Sequence, residues 1–318
     1  MMRRFSLFVN GLLALGFLLL GAGCARIGAL YHRMDDTKLS APDSSQDKSG
    51  LKKKVVLMPI LNQAGLSDKR LEEVTTMFCA PLEKDRNLFL ERTMEPLPST
   101  MTMRSPRYGI VMDPDAAKRA EEKAANVLLS LIVNSFEMRL KSSGVWPFRS
   151  MKREVEFSTT LNGLDLTNGT LFMSSSESEK LDYNLEESED EEDIPKKPEL
   201  PEIDDKTFTR VMGRIIGRQA EKIREALRYQ PWTGRILSVD GNQIVISAGK
   251  KVGVSKGRVF EVFNRGEQIR SASGGAIYLL GPKVGDVKVT EVMDDSSYAQ
   301  LMFGVDFKAG QVIRAKKK

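Results

Sequence analysis

Residues able to act as nucleophiles, bases or metal ligands are scarce in this sequence. Its 318 residues include two cysteines, Cys24 and Cys79, and one histidine, His32. These are too few for a zinc site, which uses three or four protein ligands. A Ser-His-Asp arrangement would have to use His32, which lies in a predicted flexible tether that cannot hold catalytic geometry. We therefore expect a protein that is not an enzyme and that binds no metal or cofactor.

Carboxylates are the one catalytic class that residue types leave open, because a pair of them can hydrolyse glycosides. Most acidic side chains here fall in one run or on helix faces, where a solvated role is usual. The run is residues 186–206, with eleven acidic residues and three lysines, a net charge of −8. The whole chain carries +5, so the remainder carries +13. A basic body suits anionic lipid or wall polymers, or serves solubility alone.

The start of the chain sets Cys24 apart. Two arginines form a basic head, residues 5–20 are mainly apolar, and residues 21–23 are Gly-Ala-Gly directly before Cys24. A basic head, an apolar run and small residues are typical of a secretory signal. We expect everything after Ala25 to lie outside the cytoplasm.

Small residues followed by a cysteine resemble the signal of bacterial lipoproteins. In that family the cysteine sulfur receives a diacylglycerol and the chain is cut just before it. The resemblance makes Cys24 the lipidation site and residues 1–23 a signal peptide, although Gly21 stands where the family usually has leucine. It also makes Ala25 compatible with the outer membrane, with the inner membrane as the alternative. An uncleaved anchor is the other reading, since about 18 apolar residues can just span a bilayer.

With Cys24 bound to lipid, Cys79 has no partner for an intramolecular disulfide. Its stretch, residues 68–83, has apolar residues at helical spacing and Asp68 as an N-cap candidate. We expect Cys79 to be a buried free thiol.

The middle of the chain predicts an α/β layer with helices on one face. Residues 24–53 read as a flexible tether. The periplasmic domain then covers residues 54–230, with apolar strands alternating with helical patterns. A long strand is expected over residues 126–140, and Asn168-Gly169 is a hairpin signal between two further strands.

The acidic run interrupts this domain. Residues 186–206 include three prolines and few apolar residues, so we expect a disordered insertion. They lack the alternating ligands and turn glycine of a calcium loop. Residues 207–229 then have one apolar face and should form a helix that returns to cover the sheet.

Residues 231–318 change character, with frequent glycines and short strands at short spacing. They predict a small all-β barrel-like domain. The complete fold class is therefore α+β: a sandwich of mixed sheet and helices, followed by the barrel.

Two motifs in these regions are better explained by structure than by chemistry. Residues 215–223 resemble the KH RNA-binding signature, but Ala220 replaces the second glycine and the apolar spacing continues through it. Gly249, Gly253 and Gly257 lead into a strand, whereas a P-loop leads into a helix. We expect no nucleic acid and no small-molecule substrate.

Three segments of the first domain carry a resemblance to known envelope proteins. Residues 54–59, 124–130 and 164–169 are similar to a periplasmic α/β domain. That domain occurs in the middle of flagellar assembly protein T, at the N-terminus of the Tol–Pal propeller protein, and in the curli secretion lipoprotein. An acid usually precedes its third strand, where this chain has Asn126.

The glycine pattern of residues 249–257, 284–285 and 309–310 is similar to the C-terminal domain of flagellar assembly protein T. That protein's own N-terminal domain has no counterpart here, a lipid anchor stands in its place, and the acidic insertion is foreign to it. The resemblance implies packing against partner proteins beneath the outer membrane.

We therefore expect a lipid-anchored periplasmic scaffold that contacts membrane lipid through Cys24. Its partners would be envelope or flagellar basal-body proteins, bound by exposed edges or apolar patches of the barrel. One alternative is a polymer-binding lipoprotein, with Arg258, Arg265 and Arg270 facing peptidoglycan or lipopolysaccharide. Another is an accessory subunit of a secretion apparatus.

Overall fold

The computed structural model describes residues 49–93, 114–143, 150–184, 203–270 and 276–316. In these ranges the chain forms a mixed seven-stranded sheet packed with helices, followed by a closed six-stranded barrel. This confirms the predicted α+β class with a small second β domain.

The first domain contains seven strands and three helices among the described residues. In chain order they are β1 (Lys53–Leu57), β2 (Leu61–Asn62), α1 (Asp68–Glu83), β3 (Leu88–Arg92), α2 (Pro114–Glu122), β4 (Val127–Val133), β5 (Glu137–Ser143), β6 (Ser150–Asp165), β7 (Thr170–Asn184) and α3 (Asp205–Tyr229).

The strand order of this sheet is β3-β1-β4-β6, with β7 on the outer side of β6. β1 runs parallel to β3 and β4, whereas β6 is antiparallel to β4, β5 and β7. β4 and β5 share one side of β6 and pair with its two halves. The predicted long strand of residues 126–140 is thus two strands, interrupted at residues 134–136.

β4 is apolar except for Ser130, and the last three residues of β1 are apolar, because these parts of the sheet are buried on both faces. α1 and α3 cover one face and form the main core, with Phe78, Phe157 and Phe208 fully buried. The short α2 lies on the other face, over a smaller cluster that includes Val56 and Leu128. The expectation of helices on one face therefore holds for the two long helices only.

The helix starts differ from the sequence expectation at two positions. Ser67, not Asp68, is the N-cap of α1, and its Oγ accepts a hydrogen bond from the Arg70 amide at 3.5 Å. Asp204 caps α3, with Oδ1 accepting from the Thr207 amide at 2.9 Å. The prediction of a disordered insertion over residues 186–206 is therefore wrong for residues 203–206, where Ile203 is buried; residues 185–202 lie outside the described ranges.

Two other expectations hold. α3 buries its predicted apolar face, from Phe208 to Leu227, against the sheet. The predicted hairpin joins β6 to β7, with Gly169 at φ +72° in its turn. The left-handed conformation there is one that glycine adopts without steric cost.

The second domain is a closed barrel with the strand order β10-β11-β12-β9-β8-β13. Its strands are β8 (Thr233–Asp240), β9 (Gln243–Ile246), β10 (Val259–Arg270), β11 (Ala276–Val292), β12 (Ser297–Gly304) and β13 (Val312–Ala315). Side chains such as Trp232, Ile246 and Phe260 fill the interior. Gly253 and Gly257, at φ +88° and +85°, lie in turns before β10, as the sequence predicted.

Residues 49–53 correct the predicted tether. Leu51 is 2% exposed and lies in the core of the barrel. The amide of Lys52 donates to the carbonyl of Val252 at 2.9 Å, and Trp232 Nε1 donates to the carbonyl of Lys52 at 3.1 Å. The chain therefore contributes Leu51 to the core of the barrel before it enters the sheet of the first domain.

Candidate functional site

Chemistry-bearing side chains do not gather into a centre in the described part of the chain. No group of three or more His, Cys, Asp or Glu residues there could hold a metal ion. Cys79 is fully buried, and burial raises the pKa of its thiol, so the reactive thiolate is disfavoured. This confirms the buried free thiol. Cys24 and His32 lie outside the described residues.

A cleft of about 260 Å³ lies between the end of α3, the loop before β3 and residues 50–53. Asp85 and Arg224 form an ion pair across it, at 3.0 Å. Burial tends to raise the pKa of Asp85, but hydrogen bonds from Asn87 and Arg224 outweigh it and lower that pKa. Asp85 and Arg224 thus neutralise each other, which is a structural use of both groups, while Lys53 and Arg228 also line the cleft.

Exposed apolar side chains are concentrated on the barrel. Phe303 is 73% exposed, Val305 72% and Met302 57%. They lie at the end of β12, where Gly304 pairs with Gly285 of β11. The first half of β11 adds two exposed leucines. We call the surface at the end of β12 the barrel tip; its members are Leu301, Met302, Phe303 and Val305.

A bulge and two glycines shape the barrel tip. Phe303 pairs with Asp286 and Leu301 pairs with Val287, so Met302 is an extra residue in β12. Such a bulge lets neighbouring residues turn to both sides of the strand. A Cβ on Gly285 would overlap the carbonyl of Phe303, so only glycine allows the two strands to approach this closely. The tip is therefore built by the backbone and exposes apolar groups on both sides.

The two domains meet at Asn126, which is 8% exposed. Its Oδ1 accepts from the amide of Lys54 at 2.8 Å, and its Nδ2 donates to the carbonyl of Thr233 at the start of the barrel. The hydroxyls of Thr233 and Thr167 are 2.6 Å apart. An amide fits this position because it both accepts and donates, whereas an ionised carboxylate only accepts. This explains asparagine where the resembling family usually has an acid.

Two basic residues proposed for polymer binding are used within the chain. Arg258 donates to the carbonyl of Ser49, and its guanidinium lies 5.8 Å from the ring centre of Phe260. Arg265 pairs with Glu121 of α2 at 3.7 Å. Arg270 ends β10. Arg258 and Arg265 therefore have partners within the chain, with which an anionic polymer would have to compete.

The KH-like segment is the middle of α3. Ile215, Ile216, Ala220 and Ile223 are all buried in the main core. A continuous helix with this face buried cannot form the loop that clamps nucleotides.

Sequence reasoning missed the barrel tip and the bridging role of Asn126. Residues 301–303 read as an ordinary strand, yet three successive apolar residues do not fit a strand with one face in a core. That run was the available signal for the tip. No local signal identifies Asn126, since its partner Thr233 is 107 residues away in the sequence.

None of the described helices is long and apolar enough to cross a membrane.

No protein-family model matches this chain, and no curated protein matches it. Solved structures are similar to it over part of its length. A PelC dodecamer from Paraburkholderia phytofirmans has 15% identity, covering 56% of this chain and 89% of that chain at a TM-score of 0.30. Lipoprotein GNA1162 from Neisseria meningitidis has 13% identity, covering 54% of this chain and 98% of that chain at a TM-score of 0.28. TolB from Acinetobacter baumannii has 8% identity, covering 83% of this chain and 63% of that chain, also at a TM-score of 0.28. At these TM-scores the similarities assign no activity to the chain.

Proposed function

We propose that this protein is a lipid-anchored, non-catalytic scaffold of the bacterial cell envelope that binds partner proteins through the barrel tip. The exposure of Met302, Phe303 and Val305 is the observation that carries the proposal. Contiguous exposed apolar side chains are costly in water and mark interaction sites. The filled core behind the tip offers a rigid platform, which lowers the entropic cost of binding.

The finer assignment is to partners of the flagellar basal body, beneath the outer membrane. It rests on the resemblance of both domains to flagellar assembly protein T. Anchoring through Cys24 would keep the scaffold at the membrane surface, with the folded domains in the periplasm.

The barrel tip can be tested by crosslinking in intact cells. We expect the double variant Met302→Ser, Phe303→Ser to lose crosslinked envelope partners by roughly tenfold or more, because each buried apolar side chain contributes about 1.5–3 kcal/mol. Leu237→Ser is the matched control, since Leu237 is 45% exposed on β8, outside the tip. Equal recovery of partners by the wild type and the double variant would refute the role of the tip.

The identity of what is recovered decides the finer assignment. Basal-body or ring components would support the flagellar role. Wall polymer without protein would favour the polymer-binding alternative, and components of a secretion channel would favour the accessory-subunit alternative.

The anchor is tested by Cys24→Ala. We expect this variant to lose incorporation of labelled palmitate. The mass of the wild-type protein separates the two anchors: a lipoprotein begins at Cys24 and carries acyl chains, whereas an uncleaved anchor keeps residues 1–23. Wild-type protein without acyl chains would contradict the proposed lipidation.

A further inference from the structure

The outer edge of β7 is the longest free strand edge in the described part of the first domain. β7 has 15 residues, and among the described strands only β6 pairs with it. A free edge presents backbone N–H and C=O groups that another strand can satisfy, although here the carbonyl of Ser178 already accepts a hydrogen bond from the Arg218 side chain at 2.9 Å. The side chains of β7 determine whether another strand can pair with this edge and which charges that strand must have.

One face of β7 is closed by α3. Arg218 of α3 binds Glu177 at 2.7 Å and Glu179 at 3.2 Å, and Lys222 also binds Glu177. Hydrogen bonds from Lys222 and Arg218 lower the pKa of Glu177, although partial burial opposes this. The acidic groups on this face are therefore neutralised within the chain.

On the other face of β7, one acidic residue, Asp182, lacks an ion pair among the described residues. Asp182 lies directly across from Glu154 of β6, and like charges at such a position repel. Glu154 is compensated by Lys180 at 2.7 Å and Lys141 at 3.4 Å. Asp182 is exposed and takes part in no ion pair among the described residues. A cation from a strand added at this edge would give Asp182 an ion pair.

The strand itself supplies such a cation when it pairs with a second copy. In an antiparallel pair centred on Leu181, Leu181 faces its own equivalent and Lys180 faces Asp182 of the second copy. Two-fold symmetry repeats this ion pair, because a two-fold interface uses the same patch on both subunits. The half-buried Leu181 and Tyr183, which pack against the core, would continue the apolar layer beneath α3 across the interface.

We infer that two copies of this chain associate through β7, antiparallel and centred on Leu181, to form one continuous sheet. A lysine on an edge strand usually keeps other strands away. Here Lys180 is followed by Asp182 on the same face, and this spacing turns the repulsion between two copies into attraction. The interface lies on the first domain and is independent of the anchor and of the barrel tip.

The register is tested with single cysteines in the full-length chain, purified in mild detergent and treated with an oxidant. In the Leu181→Cys variant the two thiols would face each other, with Cβ atoms about 5 Å apart. We expect a disulfide-linked dimer that a reductant dissolves. Ser176→Cys is the matched control on the same strand, because its two copies would be about 33 Å apart in this register. Equal crosslinking of both variants above the wild-type background would overturn the register.

The charges are tested by exchange. Asp182→Lys places a lysine opposite Lys180 of the second copy at both symmetry-related positions. We therefore expect the dissociation constant of the dimer to rise by about tenfold or more. The fold should survive, because the new lysine lies across from Glu154. The exchange Lys180→Asp with Asp182→Lys restores the pairs and should restore the dimer. Light scattering gives the mass; a wild type that remains a monomer at high concentration, or a dimer whose stability does not change with Asp182→Lys, would contradict the inference.

Discussion

Replacing Asn126 by aspartate is expected to lower the free energy of unfolding by about 3 kcal/mol at neutral pH, because a buried charge would lose a hydrogen-bond partner. A carboxylate can still accept from the amide of Lys54. Its second oxygen would face the carbonyl of Thr233, which now accepts from the side-chain Nδ2. Two acceptors without a proton between them repel in a buried site.

Urea denaturation across a range of pH measures this effect. The deficit should shrink on acidification, because the pKa of the new carboxyl is raised in the folded state and its protonated form can donate to Thr233. Asn134→Asp is the matched control. Asn134 Nδ2 contacts the hydroxyls of Ser158 at 3.1 Å and Thr160 at 3.2 Å, and hydroxyls can rotate to donate. Equal losses at both positions would show that Asn126 has no special role at the junction.

Leu51→Ala is expected to lower the free energy of unfolding by about 2–5 kcal/mol, the range for a leucine replaced by alanine in a packed core. Leu51 is 2% exposed among Trp232, Val252 and Val254 of the barrel. The loss should appear in the unfolding of the barrel, although Leu51 precedes the first domain in the sequence. It should also release Lys52, whose carbonyl accepts from Trp232.

Thermal unfolding followed by circular dichroism tests this, with Leu237→Ala as the control on the surface of the same barrel. A tether that merely passes the barrel would give the two variants the same small effect. A large effect at Leu51 only would establish that residues 49–53 are fastened to the barrel.

The scaffold proposal and the dimer proposal make separate demands on the chain. The barrel tip concerns partners of other sequence, and β7 concerns a second copy. If both hold, one assembled sheet would present two tips, and binding to a repeated partner would gain from multivalency.

The sequence by itself determined the elements that depend on near neighbours. The apolar face of α3, the Asn168-Gly169 hairpin and the turns at Gly253 and Gly257 follow from spacing and backbone freedom within a few residues. Tertiary structure alone decided where distant residues meet. Leu51 packs in the core of the barrel although its neighbours in the sequence are polar. Asn126 donates a hydrogen bond to Thr233, and Asp182 lies directly across from Glu154. These pairings depend on strand register and on how the domains pack. A short stretch of sequence contains no information about either.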